Sequence, residues 1–236
     1  TLAWPCGVDN HVMRSVAREY FIAARDYHIN GLEEQNPLEM MAMKSISTPY
    51  YHEPHQDPPD LNLTADLAES QGKWANFVFH DHCVEDGMID YIATKDLWVD
   101  TIGNVVRYII TRQNTSFVSY QSNSTQVSFE VITDIAPIHV ADNLSLWVDV
   151  SGWDNPILEI DGSRMPYTRV IDGEGDRVRF DIALTGNNQV VLSNSSSGTG
   201  GNQTNQSICQ YASFAETTSF NTNSQPSYAT GPPSAP

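Results

Sequence analysis

The sequence predicts an α/β segment, then a small all-β sandwich, then a disordered tail. Three observations carry this reading. Residues 1–113 alternate helical and strand-like apolar periodicity, and residues 114–192 hold only short period-two runs between turn residues. Residues 193–236 are almost all Ser, Thr, Asn, Gly, Gln and Pro, with no Lys or Arg after Arg179. Such a composition buries too little apolar surface to offset its ordering entropy.

Each element has a local reason. Val12, Val16 and Tyr20 recur every four residues, which predicts a helix over 11–20 capped by Asp9 or Asn10. Phe21-Ile-Ala-Ala24 reads as a short buried strand leading into Arg25. Residues 48–64 form a Pro-, His- and Asp-rich loop. Leu61–Lys73 reads as a helix that Gly72 stops, and Trp74–Phe79 as a buried strand. A further helix runs from a cap at Asp100 or Thr101 to Arg112, with an apolar face of Ile102, Val105, Val106, Ile109 and Ile110.

Seven strands are then expected, at 117–120, 126–132, 144–150, 157–160, 167–171, 178–183 and 190–192. Their turns fall at Gly152, Asn155-Pro156, Asp161-Gly162, Asp172-Gly173 and Gly186-Asn-Asn188. That spacing predicts a β-sandwich and a three-part organisation: 1–113, 114–192 and 193–236 as linker or stalk. Cys209, Tyr211 and Phe214 are the hints that part of the tail packs back on the sandwich.

Composition narrows the function. Twelve Lys plus Arg against 29 Asp plus Glu give a net charge of −17. Such a field repels phosphate backbones and anionic membranes, so nucleic acid is not an expected partner. The chain holds no apolar run of bilayer-spanning length. The N-x-S/T pattern occurs at Asn62, Asn114, Asn123, Asn143, Asn194, Asn202 and Asn205. Chance predicts about three such sites, so the excess points to a secreted, N-glycosylated protein of the cell wall or extracellular space. The competing reading is that a Ser/Thr/Asn-rich chain generates the pattern by composition.

Three cysteines, Cys6, Cys83 and Cys209, suggest one bridge and one spare thiol in an oxidising compartment. Cys6 and Cys83 are the favoured pair, against two buried thiols. The opening Thr1-Leu-Ala-Trp4 lacks a signal sequence, and the closing Gly231-Pro-Pro-Ser-Ala-Pro236 lacks a hydrophobic tail. The expectation is a processed or partial product.

Two segments suggest chemistry. Phe77-Val-Phe-His80-Asp-His82-Cys83 is an apolar strand ending in imidazoles, where α/β enzymes present catalytic groups. One histidine there suits a general acid or base; two with Cys83 suit part of a zinc site; hydrogen-bonded structural histidines are the third reading. Ala3-Trp-Pro-Cys-Gly7 is a tight turn able to aim a backbone N–H at an anionic oxygen. His52, His55 and Asp57 read as a solvated loop or a metal-like cluster. Trp98, Trp147 and Trp153 read as core or as sugar-stacking surfaces.

Taken together, Trp4-Pro-Cys-Gly7, Phe21-Ile-Ala-Ala-Arg25, Phe77-Val-Phe-His80 and Asp96–Ile110 resemble the C-terminal half of a NodB-type polysaccharide deacetylase, in its divergent branch with an appended β-domain. The resemblance covers residues 1 to about 113, and its most specific part is 96–110. It implies part of a distorted β/α barrel that hydrolyses N-acetyl groups of a cell-wall or matrix glycan. It gives His80 the role of general acid, the Cys6 backbone N–H the oxyanion, and Trp4, Pro5 and Trp98 the substrate. It also implies a divalent metal, zinc in most of the family, whose ligands would lie N-terminal to this chain. The chain would then associate with that missing half and be inactive alone. In the family the turn carries Arg and Tyr where this chain has Ala3 and Cys6. The alternative is a non-catalytic wall glycoprotein or antigen that keeps the scaffold for carbohydrate or partner binding.

Overall fold

A computed structural model describes residues 1–47, 60–79, 86–136, 140–184, 186–195 and 208–210. Its first layer is a four-stranded parallel sheet in the order β1-β2-β3-β4, formed by Leu2–Ala3, Ala24–Asn30, Met43–Ser47 and Phe77–Val78. Four helices accompany it: α1 (His11–Ala17), α2 (Leu61–Gln71), α3 (Asp86–Ala93) and α4 (Ile102–Gln113).

The expectation of a partial β/α barrel is corrected by this arrangement. No α-helix links β2 to β3 among the described residues; a 3₁₀ turn at Met40–Ala42 stands there instead. Both faces of the sheet are also covered. Ala23 and Ala24 are consecutive and both fully buried. Consecutive strand residues point to opposite faces, so neither face is an open lumen. Ala24 packs with Trp4, Ala17 of α1 and Met41. Ala23 packs with Met43, Trp74 and α4. A mixed fold results, with no full barrel.

Local chemistry sets the helix ends. The Asn10 side chain accepts from the Met13 N–H at 3.0 Å, and Asp60 accepts from Leu63 at 2.9 Å. Gly72 ends α2 at φ 60°, a left-handed position that a Cβ would strain. The apolar stripe that marks α1 as a helix is not its buried face. Val12, Val16 and Tyr20 are exposed, and Ala17 is the residue of α1 that meets the sheet. α3 was not foreseen, because its start adjoins the His-rich segment, which hid its period.

The second and third layers are antiparallel. One sheet has the order β10-β11-β7-β13, from Thr168–Asp172, Gly175–Ala183, Asn143–Asp149 and Ile208–Gln210. The other has the order β5-β6-β12-β8-β9, from Thr115–Asn123, Gln126–Thr133, Asn188–Asn194, Pro156–Ile160 and Ser163–Arg164. Buried residues alternate along both sheets and join in one cluster, including Phe129, Leu146, Leu158, Phe180 and Val190. Each such side chain contributes about 1.5–3 kcal/mol through burial. Val105, Val106, Tyr108 and Ile109 of α4 belong to the same cluster, so this core is continuous with one side of the parallel sheet.

The Asp161-Gly162 turn has φ of 51° and 76° between the paired Ile160 and Ser163, a type I′ hairpin whose twist suits the strands. Asp161 pins it further by accepting from the Gln189 N–H at 2.8 Å. The tail expectation is corrected at two places. Asn188–Asn194 completes β12, and Ile208–Gln210 pairs with Val148–Leu146 of β7.

Candidate functional site

The turn after β1 is the most constrained backbone near the carboxyl edge of the parallel sheet. Gly7 N–H bonds Trp4 C=O at 3.0 Å and Val8 N–H bonds Pro5 C=O at 3.1 Å. Closing both bonds forces Cys6 to φ 53°, ψ 19° and Gly7 to φ 67°. A non-glycine residue held there costs about 1–2 kcal/mol. The Cys6 N–H has no hydrogen-bond acceptor among the described residues and sits in an exposed residue. Its thiol is free and exposed; Cys83, the bridge partner expected for it, lies outside the described residues.

Beneath the turn lies a charged cluster missing from the sequence reading. Arg14 Nη2 is 2.7 Å from Asp9 Oδ1 and 3.9 Å from Asp26 Oδ2. The side chains of Asp9 and Asp26 are only 6% and 7% exposed. The hydrogen bond that Arg14 donates to Asp9 raises the Arg14 pKa, against the lowering effect of burial. Asp9 Oδ2 and Arg14 Nε are buried without hydrogen-bond partners among the described residues. The available signal was Arg25-Asp26, a charged pair inside a strand whose preceding residues are apolar.

The predicted substrate residues do not form one surface. Trp4 is 8% exposed, and its indole N–H donates to Met41 C=O at 2.7 Å, so it anchors the turn rather than facing a glycan. Pro5 is exposed at the head of the turn. Trp98 lies elsewhere, on a cavity of about 390 Å³ lined by Arg25, Trp74, Phe77, Asp100 and Val105 among others. Its ring meets Tyr108 edge-on at 5.3 Å. Arg25 and Asp26 are neighbours on one strand, so the cavity and the Asp9–Arg14–Asp26 cluster lie on opposite faces of the sheet. Arg25 has no hydrogen bond or ion pair among the described residues, whereas Lys73 holds Glu34 at 2.8 Å and Asp100 accepts from Thr101 and Asn104.

His80 and His82 lie outside the described residues, as do His52, His55 and Asp57. What precedes His80 is placed: β4 ends at Val78, on the same sheet edge as Ala3 at the end of β1. These are the two outer strands, three inter-strand spacings or about 14 Å apart in a flat sheet. Trp153, 3% exposed, belongs to the core, while Trp147 stacks on Arg177 at 4.8 Å and Arg179 at 5.8 Å. Asn62, Asn114, Asn123 and Asn143 are exposed and Asn194 is half-buried; Asn202 and Asn205 lie outside the described residues. No group of three His, Cys, Asp or Glu side chains able to hold a metal converges among the described residues. No helix among them is long and apolar enough to cross a bilayer.

No family model, curated protein or solved structure matches the chain.

Proposed function

We propose that the chain is part of a secreted polysaccharide deacetylase that hydrolyses N-acetyl groups of a cell-wall or matrix glycan. The observation that carries the reading is the left-handed Cys6, whose N–H is left uncommitted at the carboxyl edge of a parallel sheet. Amide hydrolysis passes through a tetrahedral oxyanion, and a backbone donor held before reaction stabilises it without reorganisation. The strain at Cys6 then serves a purpose: its N–H stays out of the hydrogen bonds by which the next two N–H groups close the turn.

By the resemblance, the ligands of its zinc would lie N-terminal to this chain, and no group of His, Cys, Asp or Glu side chains converges to hold a metal among the described residues. This chain's contribution is the oxyanion donor and, by the same resemblance, the proton that His80 delivers to the departing amine as its C–N bond breaks. The half-buried Trp98, with the uncommitted Arg25 on the same cavity, suits the apolar face and hydroxyls of a sugar unit. The exposed α1 stripe and the outer side of β1, unpaired among the described residues, support packing of a further segment of the same protein against this face.

The test is acetate release from N-acetylglucosamine oligomers by the full translation product of the gene. His80→Ala is expected to lower turnover roughly 10²- to 10⁴-fold. Cys6→Ala is expected to keep it, since the N–H survives. Full activity in His80→Ala, or its loss in Cys6→Ala, refutes these roles. A folded but inactive parent protein favours the non-catalytic, glycan-binding alternative.

A further inference from the structure

The five-stranded sheet ends in two very different edges. β9 is two residues long, but β5 runs for nine. Its sequence, Thr115-Ser-Phe-Val-Ser-Tyr-Gln-Ser-Asn123, contains no charged residue and no proline. Charges and prolines are the usual guards of an outer strand, whose unpaired N–H and C=O groups template pairing with another chain. One guard is present. Val118 pairs with Glu130 and Gln121 with Ser128, so β5 spends three steps against two and bulges at Ser119, φ 55°. Among the described residues no strand pairs with the outer side of β5.

Glycosylation sequons stand at both ends of that strand and nowhere along it: Asn114-Thr-Ser116 and Asn123-Ser-Thr125. Both asparagines are exposed. Asn123 Oδ1 accepts from the Thr125 N–H at 2.9 Å and lies 3.1 Å from Thr125 Oγ1. This Asx turn presents the amide nitrogen Nδ2 to solvent with no partner among the described residues. Asn114 Nδ2 donates one hydrogen to Ile110 C=O at 2.8 Å as a helix cap. A glycosylated amide keeps one N–H, so the modified Asn114 still has a hydrogen to donate. The other described sequons lie elsewhere: Asn62 sits in helix α2, Asn143 pairs with Ala183 of β11, and Asn194 Oδ1 is engaged by the Asn155 N–H at 3.3 Å.

We propose that N-linked glycans on Asn114 and Asn123 close the β5 edge against strand addition. This inference rests on the secreted-glycoprotein reading. In the modification, Nδ2 bonds to the anomeric carbon of an oligosaccharide carried on a polyprenyl pyrophosphate. The carbon–oxygen bond to the pyrophosphate breaks, the pyrophosphate departs with that electron pair, and Nδ2 loses one proton.

The experiment is secretion from a eukaryotic host, glycopeptide mapping, and size-exclusion chromatography. The expected result is glycan on Asn114 and Asn123, with a monomer that is lost to aggregates in an Asn114→Gln/Asn123→Gln double variant. Ser116→Ala/Thr125→Ala, which keeps both asparagines, should behave the same. Adding Gln121→Lys to either should restore the monomer by charging the edge, a rescue that a misfolded variant would not show. Glycan on other sequons but neither of these, or an aglycosylated monomer as stable in solution as wild type, overturns the inference. Glycan on no sequon at all overturns the secretory reading itself.

Discussion

Replacing Arg14 by methionine removes a guanidinium from between two buried carboxylates while keeping the length of the side chain. With an effective dielectric near 20, the gross attraction is about 6 kcal/mol to Asp9 at 2.7 Å and about 4 kcal/mol to Asp26 at 3.9 Å. Desolvation of three charges offsets most of this. Loss of one partner of a buried pair typically destabilises by 3–5 kcal/mol, because the remaining charge stays uncompensated. The Arg14 side chain is 26% exposed, which places the expected loss near the low end, about 3 kcal/mol. Urea unfolding followed by tryptophan fluorescence measures it. Adding Asp9→Asn to Arg14→Met should recover part of the loss, since the orphaned carboxylate is gone, and the double-mutant cycle should show coupling above about 1 kcal/mol. A single-variant loss below about 1 kcal/mol, with no coupling, would refute the picture of a desolvated cluster under the turn.

Three further outcomes are expected. Cys6→Gly removes the left-handed strain at φ 53° and should leave stability unchanged or raise it by up to about 1 kcal/mol, whereas Cys6→Val should lower it; thermal melts decide. Phe129→Ala should cost about 3–5 kcal/mol in denaturant unfolding, because Phe129 is fully buried between the sheets and packs edge-on against Phe117 at 5.6 Å. The Arg169 hydrogen bonds hold the Asp176 carboxyl below its ordinary pKa despite the opposing effect of burial. A depressed carboxylate pKa stabilises above the unfolded value and loses that contribution as pH falls through the folded one. The stability difference between wild type and Arg169→Met should therefore shrink below about pH 4. The part that persists comes from Arg169 bonding the Trp153 and Asp154 carbonyls, which do not titrate in this range.

The unevenness between what was foreseen and what was found follows from the range of the forces involved. Period-two alternation is a property of neighbouring residues. Val127, Phe129 and Val131 therefore announced a strand that the structure buries on that face. The Asn10 and Thr101 caps and the Gly72 stop were visible for the same reason, since each is satisfied within one helical turn. The α1 stripe was legible as a helix and misleading about burial. Periodicity reports which residues share a face, and the partner of that face lies elsewhere in the chain.

The caps at Asn10 and Thr101, the Gly72 stop, seven of the strands between 115 and 194, the acid charge, and the sequons at 62, 114, 123, 143 and 194 were determined by the sequence alone, because each depends on a few adjacent residues, whereas β2, β3 and β13 were not. Tertiary structure decided that helices cover both faces of the parallel sheet and that Trp4 is an anchor rather than a wall. It also decided that Trp98 and Asp26 lie on opposite sides, and that Arg14 reaches Asp26 across twelve residues. Strand β13 is the plainest case. Its residues sit in a polar tail, and only the unpaired side of β7, more than fifty residues earlier, supplies the hydrogen bonds that make them a strand.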